Sequence, residues 1–279
     1  MAYTIVSFHA HPDDEALLTA GTLARAAAEG HRVVLVTATV GEAGLAAARF
    51  GSSEQLARVR LEELRRSAQA IGAARVELLG YADSGLDGQA RLPDDPGAPV
   101  PFARADVEQA AQRLADLLRE ERADVLTSYD PAGGYGHPDH VQVHRVGARA
   151  AELAGTPVVL EATVDRDLLR RAVRLASRVY RLPPEFDVTA FDRAYTPRGQ
   201  ITHRVDVRRF TEQKRASMRA HVSQATADSG DRTLAALLRL PRPVYRQLLG
   251  REWYVERGLA VGGRVLDDVF ASVRGRAGP

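Results

Sequence analysis

The 279-residue chain has no cysteine. That excludes disulfides, thiolate zinc sites and a cysteine nucleophile together, so any metal must be held by nitrogen and oxygen ligands. Lysine is nearly absent: Lys214 stands alone and every other basic side chain is arginine, a skew that coding bias produces and that points to no function. No stretch approaches the roughly 18 apolar residues that a membrane span needs. The N-terminus enters an apolar strand within three residues, with no charged region before it. The expectation is a soluble cytoplasmic protein with no membrane partner. Charge of one sign is also lacking, the formal net charge being +2. Spaced arginines such as those from Arg58 to Arg66 read as solvated helix faces, so nucleic acid is not expected as a partner. Nothing in the composition speaks for or against a homo-oligomer.

Hydrophobic residues make up 45% of the chain, enough to bury a sizeable core. Over the first 160 residues strand-like and helix-like segments alternate. Thr4 to Phe8 is apolar, Ala16 to Glu29 is helical and ended by Gly30, and Arg32 to Val40 is β-rich. Glu54 to Ala70 is helical, Val76 to Leu79 strand-like, Arg104 to Arg122 helical and Asp124 to Ser128 strand-like. A helix from Pro138 to Ala154 leads into Val158 to Leu160. This pattern predicts an α/β fold, a doubly wound and mainly parallel sheet in the order 3-2-1-4-5. Two long loops, Gly41 to Ser53 and Tyr81 to Pro101, follow strands and so fall on the ligand-binding edge. Beyond residue 160, Asp165 to Arg181, Phe210 to His221 and Leu234 to Leu249 look helical, the last broken by Pro241 and Pro243. Ile201 to Val207 and Glu252 to Val255 look like strands. The division expected is a catalytic layer over 1–160 and a smaller C-terminal α+β cap over 161–279, packed on the same core.

Two motifs carry chemistry. His11-Pro12-Asp13-Asp14-Glu15 lies between the first strand and the first helix. Helix capping accounts for Pro12 and one acidic residue. It does not account for a histidine and three consecutive carboxylates, whose mutual repulsion calls for a cation. Tyr135-Gly136-His137-Pro138-Asp139-His140 occupies the equivalent turn after the fourth strand. In the order 3-2-1-4-5 strands one and four are neighbours, so the two turns face each other across the switch-point crevice. A catalytic zinc takes three protein ligands and leaves one position open. Two ligands from the first turn and one from the second leave a carboxylate and a histidine spare. Asp13 and His137 fill those places as base and as proton donor or charge partner, the protonated form of His137 limiting the alkaline side of a pH profile. Asp139 is expected to orient His137, and Tyr135 to donate to an oxyanion.

The paired signatures resemble those of the LmbE-like, or PIG-L, N-acetylglucosaminyl deacetylase superfamily, whose Rossmann-like layer holds a metal at the switch point. Residue by residue, the resemblance implies zinc ligation by His11, Asp14 and His140, with Asp13 as general base and His137 and Tyr135 stabilising the tetrahedral intermediate. Arg60, in Val59-Arg60-Leu61-Glu62-Glu63-Leu64, resembles a substrate-contacting arginine of the mycothiol-pathway deacetylases. Asp83, in Asp83-Ser84-Gly85, is similar to the acidic residue that binds a sugar hydroxyl there, and His221-Val222-Ser223-Gln224 is similar to a C-terminal element of that group. The function expected is zinc-dependent removal of an acetyl or other acyl group from the amide nitrogen of an N-acylated amino sugar or related polar metabolite. Iron(II) suits the same two-histidine, one-carboxylate set.

A metal-dependent amidase on a thiol conjugate or antibiotic intermediate is the nearest alternative. A phosphoesterase would need more carboxylates for a second metal, and a non-catalytic metal-binding regulator would have no use for a spare acid and base. Among the remaining histidines, His9 and His144 read as packing residues and His31 and His203 as surface residues. Glu15 serves either to orient a ligand or to favour the helix start.

Overall fold

In the computed structural model the described residues are 1–44, 52–86, 88, 95, 97–179, 194–227, 230–231 and 233–276. The loop segments 45–51, 87, 89–94 and 96, and the end of the helix expected to reach Arg181, lie outside them.

The parallel strands are β1 (Thr4–His9), β2 (Arg32–Thr37), β3 (Arg75–Leu78), β4 (Val125–Tyr129) and β5 (Val158–Thr163). Two further strands follow, β6 (His203–Asp206) and β7 (Arg251–Glu256). They form one sheet in the order β3-β2-β1-β4-β5-β7-β6. The expected 3-2-1-4-5 order is present, all parallel. β7 then pairs antiparallel with β5, and β6 antiparallel with β7. The C-terminal strands thus lengthen the sheet rather than standing apart from it. β1 sits between β2 and β4 and is buried from Ile5 onward, as a strand covered on both faces must be.

The segment expected to be one helix, Ala16 to Glu29, is two: α1 (Asp14–Leu18) and α2 (Ala20–Ala28), broken at Thr19. The cause is tertiary. Lys214 Nζ donates to the carbonyl of Leu17 (2.7 Å), and the Glu252 carboxylate accepts from the N–H groups of Gly21 and Thr22 (2.9 and 2.7 Å). A side chain from β7 therefore caps α2 in mid-segment.

The next helices are α3 (Ser53–Ile71), opened by a capping box of Ser52 and Gln55, and α4 (Val107–Glu120). α5 (Pro138–Ala154) has proline in its first turn and a left-handed glycine, Gly155, at its end. α6 (Arg166–Val179) and α7 (Thr211–Ala220) follow, α7 packing on α3 and α2. Pro241 separates α8 (Thr233–Arg239) from α9 (Arg242–Leu249). No helix of the described residues is long and apolar enough to cross a membrane.

Candidate metal centre and active site

Parallel pairing of β1 with β4 brings the turns that follow them together at the switch point. His11 and His140 ring centroids lie 5.6 Å apart, and His11 and His137 4.9 Å apart. The Asp14 carboxylate stands between two imidazoles: Oδ2 is 3.5 Å from His11 Nδ1 and Oδ1 is 3.3 Å from His140 Nε2. His140 Nε2 is buried without a hydrogen-bond partner, an arrangement that leaves its lone pair for a cation. His11 is fixed at its other nitrogen, Nε2, by Asp139 Oδ2 (3.1 Å), which leaves Nδ1 toward Asp14. A carboxylate behind a ligating histidine fixes tautomer and ring orientation. Two imidazoles and one carboxylate, with one ring nitrogen unpartnered, fit a divalent cation such as zinc or iron(II).

Asp139 departs from expectation. Its carboxylate holds His11 and accepts the Ser84 N–H (3.0 Å), and only its backbone N–H reaches His137, at Nδ1 (3.2 Å). His137 caps α5 through that contact, so Nδ1 is an acceptor and a proton on the neutral ring resides on Nε2. Burial, with His11 and His140 close by, lowers His137 to about 4. That environment favours the neutral ring over the imidazolium. His11, His137 and His140 bring one ring nitrogen each within 4.8 Å of one another, and His11, Asp83 and Asp139 form an adjoining group.

Asp13 has a φ of 112°, in the region an L-residue adopts only under constraint. Two contacts supply that constraint. Its N–H donates to Glu15 Oε2 (3.0 Å), and Arg60 donates to the carbonyl of Pro12 (2.5 Å) while lying 3.4 Å from Asp13 Oδ1. Burial raises the Asp13 carboxyl, Arg60 opposes it and Asp14 adds to it, giving about 6. Arg60 is 2% exposed and also donates to the Gly41 carbonyl (2.5 Å). A Cβ at Gly41 would meet the guanidinium at 2.2 Å, so glycine is required there.

Asp83 lies beside the centre, with Oδ1 3.5 Å from His11 Nε2 and accepting the Gly85 N–H (2.9 Å). The Tyr135 ring, 58% exposed, stands 5.1 Å from that of His140. Gly133 and Gly134 carry the chain past α5, and a Cβ on Gly133 would strike Val141 N at 2.6 Å. All nine residues singled out in the sequence therefore gather at one crevice.

Sequence reasoning missed what holds this turn from behind. Glu15, fully buried, accepts from Ser67 and His221 (both 2.5 Å). The available signal was a carboxylate on the inner face of an apolar helix together with the His221 element. His9 is buried against Ser7, Thr19 and Tyr129, and His144 contacts the Tyr129 carbonyl (3.1 Å). His203, expected at the surface, is fully buried and bonded to Thr202 (2.9 Å) because β6 joins the sheet. His31 is half-buried, stacked on Tyr3 and in tilted contact with Phe270.

A mainly parallel sheet with histidine and carboxylate side chains that could hold a metal converging at its switch point defines an α/β protein with a candidate metal centre. A family model described as PIG-L, GlcNAc-PI de-N-acetylase, matches residues 6–151, and the chain belongs to that family. A 1D-myo-inositol 2-acetamido-2-deoxy-alpha-D-glucopyranoside deacetylase of Thermomonospora curvata is 37% identical over 298 residues, covering 97% of each chain. The solved N,N'-diacetylchitobiose deacetylase from Pyrococcus horikoshii superposes with a TM-score of 0.56 at 22% identity, over 92% of this chain and 83% of that one. GalB, a 4-carboxy-2-hydroxymuconate hydratase from Pseudomonas putida, superposes with 0.55 at 17%, over 94% and 99%. At those identities the structural likeness is one of fold, and this fold carries more than one chemistry.

Proposed function

We propose that the chain is a metal-dependent deacetylase that hydrolyses the amide of an N-acetylated amino sugar, with His11, Asp14 and His140 as ligands. In this reading residues 1–160 supply the metal-binding layer, and 161–279 extend its sheet and cap it. The observation that carries the reading is the split between two adjacent carboxylates: Asp14 lies between the His11 and His140 nitrogens, while Asp13 faces Arg60 and is left to act as a base. A bound zinc or iron(II) would polarise the carbonyl and lower the pKa of a water.

The chain's own groups do the rest. Asp13, at about 6, is ionised at neutral pH and takes a proton from the attacking water. His137, neutral with its proton on Nε2, donates a hydrogen bond to the developing oxyanion or the departing nitrogen. The Tyr135 hydroxyl donates to the same oxyanion, its half-exposed ring standing beside His140. Asp139 keeps His11 in the tautomer that leaves Nδ1 free. Asp83, beside His11, accepts from a sugar hydroxyl, and Arg60 holds the Asp13 turn while setting positive charge beside it.

The adjoining group of His11, Asp83 and Asp139 does not favour a two-metal phosphoesterase, because Asp139 Oδ2 is already committed to His11 and the Ser84 N–H. The test is amine release from an N-acetylglucosaminyl inositol by protein loaded with zinc or iron(II). Fully loaded protein that releases no amine would sink the reading.

A further inference from the structure

A cavity of about 310 Å³ is lined by Asp14 and His140 but not by Asp13, Arg60 or Asp83. Asp14, His140 and Tyr135 line it on the side of the metal centre. From there it runs between α1, α6, α9 and β7 along Leu17, Leu169, Ala162, Leu249 and Trp253. Three further charged residues border it, Lys214, Arg251 and Glu252, and two of them do not offer their charge to a ligand. Lys214 and Glu252 bond to each other at 2.5 Å, each side chain 1% exposed, and their remaining capacity goes to the Leu17 carbonyl and the α2 N–H groups. Apart from Arg251 and the hydroxyls of Tyr129, Thr163 and Tyr195, the surface left to a ligand is apolar. Its rim shows Leu168 and Leu248, which are 40% and 50% exposed, side chains that gain from being covered.

An acetyl methyl leaves such a space mostly empty. An apolar cavity of about 150 Å³ already holds benzene, and this one is twice that. We infer that the cavity is an acyl subsite, and that the amides this enzyme handles best are N-acyl amino sugars whose acyl group is an apolar chain longer than acetyl. The inference rests on the deacetylase reading, which puts the sugar beside Asp83 and so turns the acyl carbon chain toward Leu17 and Trp253. The reaction is balanced by water alone. The amide C–N bond breaks, a C–O bond to the water oxygen forms, and the two water protons end on the departing nitrogen, one of them by way of Asp13. The products are a fatty carboxylate and a protonated amino sugar.

Trp253 is the only tryptophan of the chain and lines the cavity, so its fluorescence reports occupancy without turnover. Octanoate titrated into metal-loaded protein should shift or quench that emission saturably. N-hexanoylglucosamine should be hydrolysed with a kcat/KM at least ten-fold above that of N-acetylglucosamine, each buried methylene contributing up to about four-fold. Ala162→Leu, whose added atoms grow into the cavity, should cut the hexanoyl-to-acetyl ratio by ten-fold or more. Cleavage of the acetyl amide at least as fast as the hexanoyl amide, with Trp253 emission unmoved by octanoate, overturns the acyl subsite and leaves the deacetylase reading standing. Failure to cleave either amide overturns that reading and the inference with it.

Discussion

Glu15 and His221 are 206 residues apart and meet at 2.5 Å. The same carboxylate accepts the Asp13 N–H (3.0 Å), so a histidine after α7 steadies the acid that holds Asp13 at its unusual φ. Burial alone would raise the Glu15 carboxyl, but His221 outweighs it, with help from His9 and Ser67, and holds it at about 2. His221 is raised in turn: burial disfavours its charge and Glu15 more than restores it.

Glu15→Gln therefore asks one carbonyl oxygen to serve three donors. Stability should fall by about 1–3 kcal/mol, and kcat should fall ten-fold or more as Asp13 shifts. The sign of the pH dependence follows from the depressed carboxyl. Its contribution is present above the unfolded value near 4.5 and is lost as pH falls toward 2, while the His221 share is lost as pH rises through its raised value. Urea unfolding of both proteins from pH 3 to 8 should show a gap that closes at the acid end. A gap that is flat in pH would contradict this account.

Adjacent carboxylates should behave differently when removed. Asp14→Ala, like His11→Ala or His140→Ala, should lose metal, with partial recovery of activity in excess zinc for Asp14→Ala. Asp13→Ala should stay loaded and lose roughly 10² to 10⁴ in turnover. Metal analysis beside kinetics decides, and a metal-free Asp13→Ala with a loaded Asp14→Ala would reverse the two roles.

Activity should rise with pH as Asp13 ionises. The metal-free value of about 6 is an upper bound for that limb, because a cation beside the carboxylate favours its charged form. His137, lowered to about 4, should contribute no alkaline limb. A kcat/KM profile that falls with a pKa near 7 in wild type, but not in His137→Asn, would show that the imidazolium is the working form.

Arg60 and Asp83 should separate in kinetics. Arg60 spends its bonds on Gly41, Pro12 and the vicinity of Asp13, so Arg60→Met should lower kcat. Asp83→Ala should mainly raise KM. Both should keep their metal, and an Asp83→Ala protein with unchanged KM for a sugar amide would remove Asp83 from the substrate site.

The buried Lys214–Glu252 pair should be costly to break. Lys214→Met leaves the Glu252 charge without its cation and should destabilise by about 3–5 kcal/mol, measured by denaturant unfolding. A loss below about 1 kcal/mol would mean that the α1–α2 break does not depend on the pair.

What the sequence by itself determined is local or follows from strand order. Pro138 opens a helix, Gly72 and Gly155 each end one, and alternating strand and helix lengths dictate a parallel sheet. Once β1 and β4 are neighbours, two histidine-carboxylate turns must meet. Contacts between distant segments leave no such mark. Nothing in Ala16 to Glu29 announces a break at Thr19, because the groups responsible, Lys214 and Glu252, arrive from about 200 residues away. Asp139 pairs with His11 rather than His137 because α5 turns its carboxylate across the crevice, an orientation that spacing along one helix does not encode. His203 is buried because β6 finds an edge already extended by β7. The apolar cavity belongs to the same category: its walls come from α1, β5, α6, α9 and β7, and only their packing encloses a volume.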